Sequence, residues 1–313
     1  MPKEGESAQK LKPEPEDEWG DCFSSLSFVG QEFPPPEEII RGFLVPGLTI
    51  VAAAPKSGKT WLCHEFAIAI AQGRHALQTL PTRRADILCL FLEDGIARAI
   101  RRERTLLGNE LGCPGIRYAP AGTHWSIKRI SRYITAHPNT RVVIIDTAER
   151  FKQMQSTNPN GGSNVYELDY AFWGAFQELA THHNIAIIVI HHDRKPGRGE
   201  NGNGGDLNSV SGSRGVTGSA DHIWILSKNS ETGIRTLKIE GRELEMRALD
   251  YEKTCDGRLV AIERDAREEE WENLRQQAMC LRAEGMSLRK IAEELGVSKS
   301  VVGKWVAGDG EGE

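Results

Sequence analysis

An α/β fold with a mostly parallel sheet, followed by a small all-α module, is what this sequence predicts. Three observations carry that expectation. From Leu48 onward, short apolar runs alternate with stretches of helical apolar spacing. The apolar runs are continuous rather than alternating, which suits strands buried on both faces. Near Ala266 the composition turns charged, and helix-turn-helix spacing follows. At 313 residues the chain accommodates one sizeable α/β domain and a small extra module.

The elements follow in order. Residues 1–20 ("MPKEGESAQKLKPEPEDEWG") are rich in Pro and Glu and poor in apolar residues, so residues 1–32 are expected to form a disordered acidic tail. "FPPPEEIIRGFLVPG" reads as an extended lead-in, with Val45-Pro46-Gly47 turning into the first strand, "LTIVAAA". "TWLCHEFAIAIAQG" has helical apolar spacing and stops at Gly73. "ADILCLFLED" is a buried strand, "GIARAIRRERTLLGNELG" a helix and "SIKRISRYITAH" another. "RVVIIDT" is a continuous apolar strand ending in an acid, "YELDYAFWGAFQELATHHN" a helix and "IAIIVIHH" a strand. "HIWILSKN" and "IRTLKIEGR" read as a final pair of strands. Two Gly/Asn-rich loops, residues 151–164 and 194–215, each follow a strand, and loops of that length are usually functional or disordered. The expected boundaries are residues 33–265 for the α/β domain, 266–308 for the helical module and 309–313 for a short acidic tail.

Composition excludes several classes. The net charge of −5 argues against a basic nucleic-acid coat, while leaving room for a local basic face. The six cysteines are scattered and form no C-x-x-C pair, so neither a zinc site nor a disulfide framework is implied. Reduced thiols fit a cytoplasmic protein. No apolar run reaches membrane-spanning length, and the N-terminus is polar, without a visible secretory signal.

The chemistry concentrates at strand ends. Between the first strand and the first helix runs Ala53-Ala54-Pro55-Lys56-Ser57-Gly58-Lys59-Thr60, close to the phosphate-binding pattern G-x-x-x-x-G-K-[ST]. Backbone N–H groups of such a loop and helix start cradle phosphate. Gly58 lets the chain approach, Lys59 reaches the β/γ oxygens, and Thr60 ligates Mg²⁺. Ala53 replaces the first glycine, which is tolerable only at negative φ, and Pro55 stiffens the loop instead. Asp146 ends "VVIID", where a carboxylate holds Mg²⁺ directly or through water. "FLED" ends in Glu93-Asp94; one of these can orient the attacking water, with Glu93 favoured and Asp94 also suited to cap the next helix. His191-His192 closes "IAIIVIHH" as a polar pair that can sense the γ-phosphate or simply sit at the surface.

These motifs stand in one order: "PKSGKT", "FLED", "VVIID", "VIHH", then "SGSRGVTGSADHIWIL" and "LKIEGREL". Over roughly Phe33 to Arg264 the chain resembles the RepA-like branch of RecA-fold P-loop ATPases, the plasmid and phage hexameric replicative helicases. The resemblance implies ATP and Mg²⁺ as cofactors, and nucleotide contacts from Pro55, Lys56, Ser57, Gly58, Lys59, Thr60, Trp61 and Asp146. It implies Thr60 and Asp146 at the metal, and Glu93 and Lys59 in catalysis. His192 stands at the family's γ-phosphate and DNA-coupling position, with His191 the neighbouring choice. The better-studied helicases carry an arginine where Ser211 stands here, so the finger reaching a neighbour's site falls to Arg214 or Arg242. Completion in trans implies a homo-oligomer, expected as a hexameric ring. The two Gly-rich loops would then face the channel, where Lys152, Arg194, Lys195 and Arg198 would touch the phosphates of single-stranded DNA. Phe151 is the only aromatic near them for stacking.

At the C-terminus, Ile291, Ala292 and Leu295 share a helix face, Gly296 makes the turn, and Val297 packs under it. Ser298 caps a second helix that turns Val301, Val302 and Trp305 inward. The segment resembles a recombinase-type helix-turn-helix, whose outward Lys299, Ser300 and Lys304 would contact duplex DNA. The leading expectation is a helicase or replication ATPase of a mobile element, loaded by that module. A second is a regulatory ATPase whose ATP-dependent assembly controls DNA binding. A third is a scaffold with an inactive pocket.

Overall fold

The structure, a computed structural model, describes residues 23–108, 112–155, 165–192, 218–229, 233–262 and 266–307. The chain divides into two compact units, Met1–Pro35 and Pro36–Glu313. The described part of the first holds a 3-10 turn, Ser25–Phe28, where the Ser24 hydroxyl accepts the Leu26 N–H. The Phe28 ring packs against Phe23 and Phe33 there.

The second unit is built on strands β1 (Gly47–Ala53), β2 (Asp86–Phe91), β3 (Ile116–Pro120), β4 (Thr140–Asp146), β5 (Ala186–His192), β6 (His222–Lys228), β7 (Arg235–Gly241), β8 (Arg247–Lys253) and β9 (Leu259–Ile262). Its helices are α1 (Lys59–Gln72), α2 (Ile96–Leu107), α3 (Ile127–Ala136), α4 (Ala148–Gln155), α5 (Val165–His183), α6 (Ala266–Ala283), α7 (Leu288–Glu294) and α8 (Lys299–Ala307). The described strands form one sheet in the order β3-β2-β4-β5-β1-β6-β7-β8-β9. Pairing is parallel from β3 through β6 and antiparallel from β6 to β9.

Each continuous apolar run feeds two cores. In β4, Val142 and Ile144 face one core with Phe66 and Ile70 of α1, while Val143 and Ile145 face the other with Trp173 and Phe176 of α5. Burial on both faces is why these strands carry no polar alternation. Helix α1 is apolar nearly all round because it lies deep in the first core. Gly73 ends it in the left-handed region (φ 69°), donating its N–H to Ala69 O and Ile70 O.

Three expectations change. The sheet does not end with β6 and β7: β8 and β9 extend it. The charged residues of β8, Arg247, Asp250, Glu252 and Lys253, break its apolar run and hide the strand. "IRYAP" forms the edge strand β3, where a terminal proline costs no ladder bond. Residues 151–155, expected as loop, complete α4 instead.

Helices α6, α7 and α8 share a small core of Ala278, Ile291, Ala292 and Val302, joined by Leu295, Val297, Trp305 and Val306. Gly296 makes the turn at φ 65°, and Ser298 accepts the Val301 N–H. Val306, rather than Val301, is the further inward valine of α8. These helices lie within the same compact unit as the sheet, and Lys238 of β7 pairs with Glu272 of α6 at 3.5 Å.

Candidate functional site

Parallel pairing brings four strand ends level. Ala53 stands in register with His192, and Phe91 with Asp146. Everything that follows these positions therefore gathers at one edge of the sheet, the crevice where open α/β folds place ligands.

The loop after β1 is shaped as the sequence requires. Gly58 adopts φ 108°, closed to most side chains, and Lys56 is left-handed at φ 65°. Ala53 is not among the positive-φ residues, so its methyl group carries no such strain. Lys59 is buried, and its Nζ donates to Ala53 O at 2.6 Å and Ala54 O at 3.1 Å. The buried Ser57 Oγ has no hydrogen-bond partner, an orphan that a phosphate oxygen would satisfy.

Opposite the loop, Thr60 Oγ1 donates to Asp146 Oδ2 at 2.6 Å. Burial pushes the Asp146 carboxyl up to about 6; the Thr60 hydrogen bond opposes that, and the nearby Glu93 and Asp94 charges add to it. Glu93 Oε1 accepts from Thr147 Oγ1 at 2.8 Å, fixing the carboxylate across the ends of β2 and β4. The Asp146–Thr147 peptide bond is cis. A hydroxyl and a carboxylate are hard oxygen donors suited to Mg²⁺ with waters and phosphates as its other ligands. Among the described residues, no cluster of three or more His, Cys, Asp or Glu forms a metal cage.

Asp94 does not cap α2. Gly95 takes the cap position without a side-chain bond, and Asp94 instead pairs with Arg98 at 2.6 Å and with Arg102. His191 Nδ1 lies 2.6 Å from Glu149 Oε1, an ion-pair distance without hydrogen-bond alignment, and its ring meets Trp173 edge-on. Burial alone would raise the Glu149 carboxyl, but contact with His191 holds it down at about 2. His192 has its backbone at the site, in register with Ala53, and its side chain lies outside the described part.

The expected channel residues fare differently. Phe151 is fully buried in the second core, so it offers no stacking surface. Lys152 pairs with Asp169 at 2.6 Å and lies over the Phe172 ring, on a helix rather than a loop. Arg194, Lys195, Arg198, Ser211 and Arg214 lie outside the described residues. Arg242 follows β7 at its far end: Gly241 is in register with His222, the first residue of β6, whereas Arg235 stands beside Lys228, the last. Arg242 therefore sits at the edge opposite its own phosphate loop, 3.8 Å from Asp221. Lys299 and Ser300 are exposed at the start of α8; the Lys304 side chain lies outside the described part.

Sequence reasoning missed the contribution of the antiparallel strands. Arg235 Nε donates to Ser57 O at 3.1 Å, and Lys253 Nζ lies 3.3 Å from the Trp61 ring centre. With Lys56, Gly58, Tyr251 and Leu259 they line a cavity of about 150 Å³ beside the loop. No short motif marks them, because they come from separate strands.

A family model described as an AAA domain matches residues 15–198. No curated protein matches the chain in sequence. Among solved structures, the chain is similar to one described as an ATPase domain, with 13% identity, a TM-score of 0.55, and coverage of 70% of this chain and 85% of that one. It is also similar to a DnaB-like replicative helicase solved for its interactions with primase, with 13% identity, a TM-score of 0.54, and coverage of 72% of this chain and 58% of that one. The RadB recombinase aligns at 18% identity with a TM-score of 0.48, covering 76% of this chain and 96% of that one. The first two likenesses show a common fold: an α/β core with a mostly parallel sheet, like that of RecA-like ATPases.

Proposed function

The chain belongs to the AAA domain family, and from that premise we propose that it is a Mg²⁺-dependent ATP hydrolase that works as a ring on DNA. The observation that carries the reading is the meeting of Thr60 with Asp146, with Glu93 fixed beside them by Thr147. A phosphate loop alone binds; a loop facing two carboxylates at level strand ends can also hydrolyse.

Each residue has a task. Loop N–H groups, the Ser57 hydroxyl and Lys59 hold the phosphates. Thr60 and Asp146 would hold Mg²⁺, which supplies charge neutralisation at the phosphate oxygens. Glu93 orients a water toward the γ-phosphorus and takes its proton as the bond to the β-phosphate oxygen breaks. Arg242, too far from its own loop, would reach a neighbour's site. The DNA role rests on resemblance to the RepA-like branch, on the likeness to a replicative helicase, and on the exposed Lys299 and Ser300 of α8.

The test is ATP turnover at low salt, with and without single-stranded DNA, beside Lys59→Ala. Stimulation that vanishes in the variant supports a DNA motor. Turnover indifferent to DNA sinks the motor. A second reading, a regulatory ATPase whose assembly sets duplex binding by α7 and α8, is favoured by one observation: Phe151 is buried in the core and Lys152 is paired with Asp169.

A further inference from the structure

We infer that the cavity between α2 and Trp61 is a second anion site, shaped for the phosphate group of a ligand other than the nucleotide on the loop. The cavity holds about 350 Å³ and is lined by Trp61, Arg98, Arg101, Arg102 and Thr105. That volume falls within the range of small-ligand pockets, roughly 300–1,000 Å³. None of residues 53–60 lines it. Trp61 is the wall it has in common with the cavity beside the loop.

Charge gives the site its chemistry. Arg98, Arg101 and Arg102 stand at i, i+3 and i+4, so they share one helix face and repel one another. Asp94 is the carboxylate that pairs with Arg98 and Arg102. Arg102 is only 8% exposed, yet its buried Nη1 has no hydrogen-bond partner. A guanidinium N–H left unpaired in the interior is costly unless an acceptor arrives.

Phosphate answers these features best. Its oxygens accept paired N–H bonds from a guanidinium fork, and its multiple charge balances several arginines at once. Trp61 offers an aromatic surface to a planar group carried by the same ligand. The phosphate can come from a free inorganic anion or from a second nucleotide. Because Trp61 directly follows Thr60, an occupant here would press on the start of α1.

The inference stands apart from hydrolysis at the strand ends, and calorimetric titration of the full chain with pyrophosphate separates the two. Wild-type protein is expected to show two classes of site. The double variant Arg98→Ala/Arg101→Ala should lose one, with affinity there falling at least tenfold, and keep the other. Lys59→Ala should show the reverse pattern. Arg98 and Arg101 are both exposed, so the double variant is expected to fold, with an unchanged melting temperature as its control. Arg102 is left in place. In Lys59→Ala protein, ADP binding more tightly than pyrophosphate at the surviving class would identify a nucleotide; equal affinity would identify the free anion. A single class of site in the wild type, or two classes unaffected by the arginine pair, overturns the inference. An arginine-dependent class beside a second class that survives Lys59→Ala would instead overturn the strand-end reading.

Discussion

Asp146 answers to two opposed demands. Its place on a buried strand end favours the neutral acid, while the Thr60 hydroxyl and any bound cation favour the carboxylate. The balance falls at about 6, above the ordinary value near 3.9. A raised carboxyl stabilises the fold fully below its unfolded value, and that contribution is lost as pH rises through about 6. Asp146→Asn is therefore expected to melt about 2–4 °C above the wild type at pH 7.5, with the gap narrowing as pH falls through about 6 toward about 4, while losing Mg²⁺-dependent nucleotide binding. Cation binding needs the carboxylate, so wild-type Mg²⁺ affinity should fall as pH drops below about 6. Calorimetry across pH 5–7.5 checks both, and a flat Mg²⁺ profile contradicts this account of Asp146.

At the scale of elements, the readable strands were those buried on both faces. β1, β4 and β5 announce themselves by unbroken apolar runs, and Lys59, Thr60, Glu93 and Asp146 were legible because each closes or follows such a run. β8 was not, because Arg247, Asp250, Glu252 and Lys253 break its apolar run. The Glu149 partner of His191 was hidden for another reason: it depends on α4 beginning directly after Thr147, a start that no motif or apolar run marks. Arg235 and Lys253 reach the site from strands that carry no motif. The last three helices rest on one small core, in which Val302 is fully buried. Val302→Asp places an unpaired charge there and should cost that core about 3 kcal/mol or more. Duplex DNA binding should disappear, with ATP affinity kept within about threefold. Limited proteolysis and parallel binding assays check this; joint loss of both activities would show that the helices support the ATP site itself.

For the whole molecule, the position of Arg242 sets the argument. It lies at the sheet edge opposite the phosphate loop, so any part it takes in hydrolysis is played on another copy. Arg242→Ala is expected to lower turnover by about 10³-fold or more, leaving ATP affinity little changed. Mixing it with Lys59→Ala should restore part of the activity, since one variant supplies an intact loop and the other an intact arginine. Mixtures no more active than either variant alone would remove Arg242 from that role. Beneath every arrangement of copies lies the claim that these strand ends hydrolyse ATP rather than merely hold it. The most direct measurement is ATP turnover by Glu93→Gln beside the wild type, with bound nucleotide identified after incubation in Mg²⁺. The account predicts turnover reduced by about 10²–10⁴-fold with ATP retained intact in the site. Turnover equal to the wild type, or failure to retain ATP at all, would contradict it.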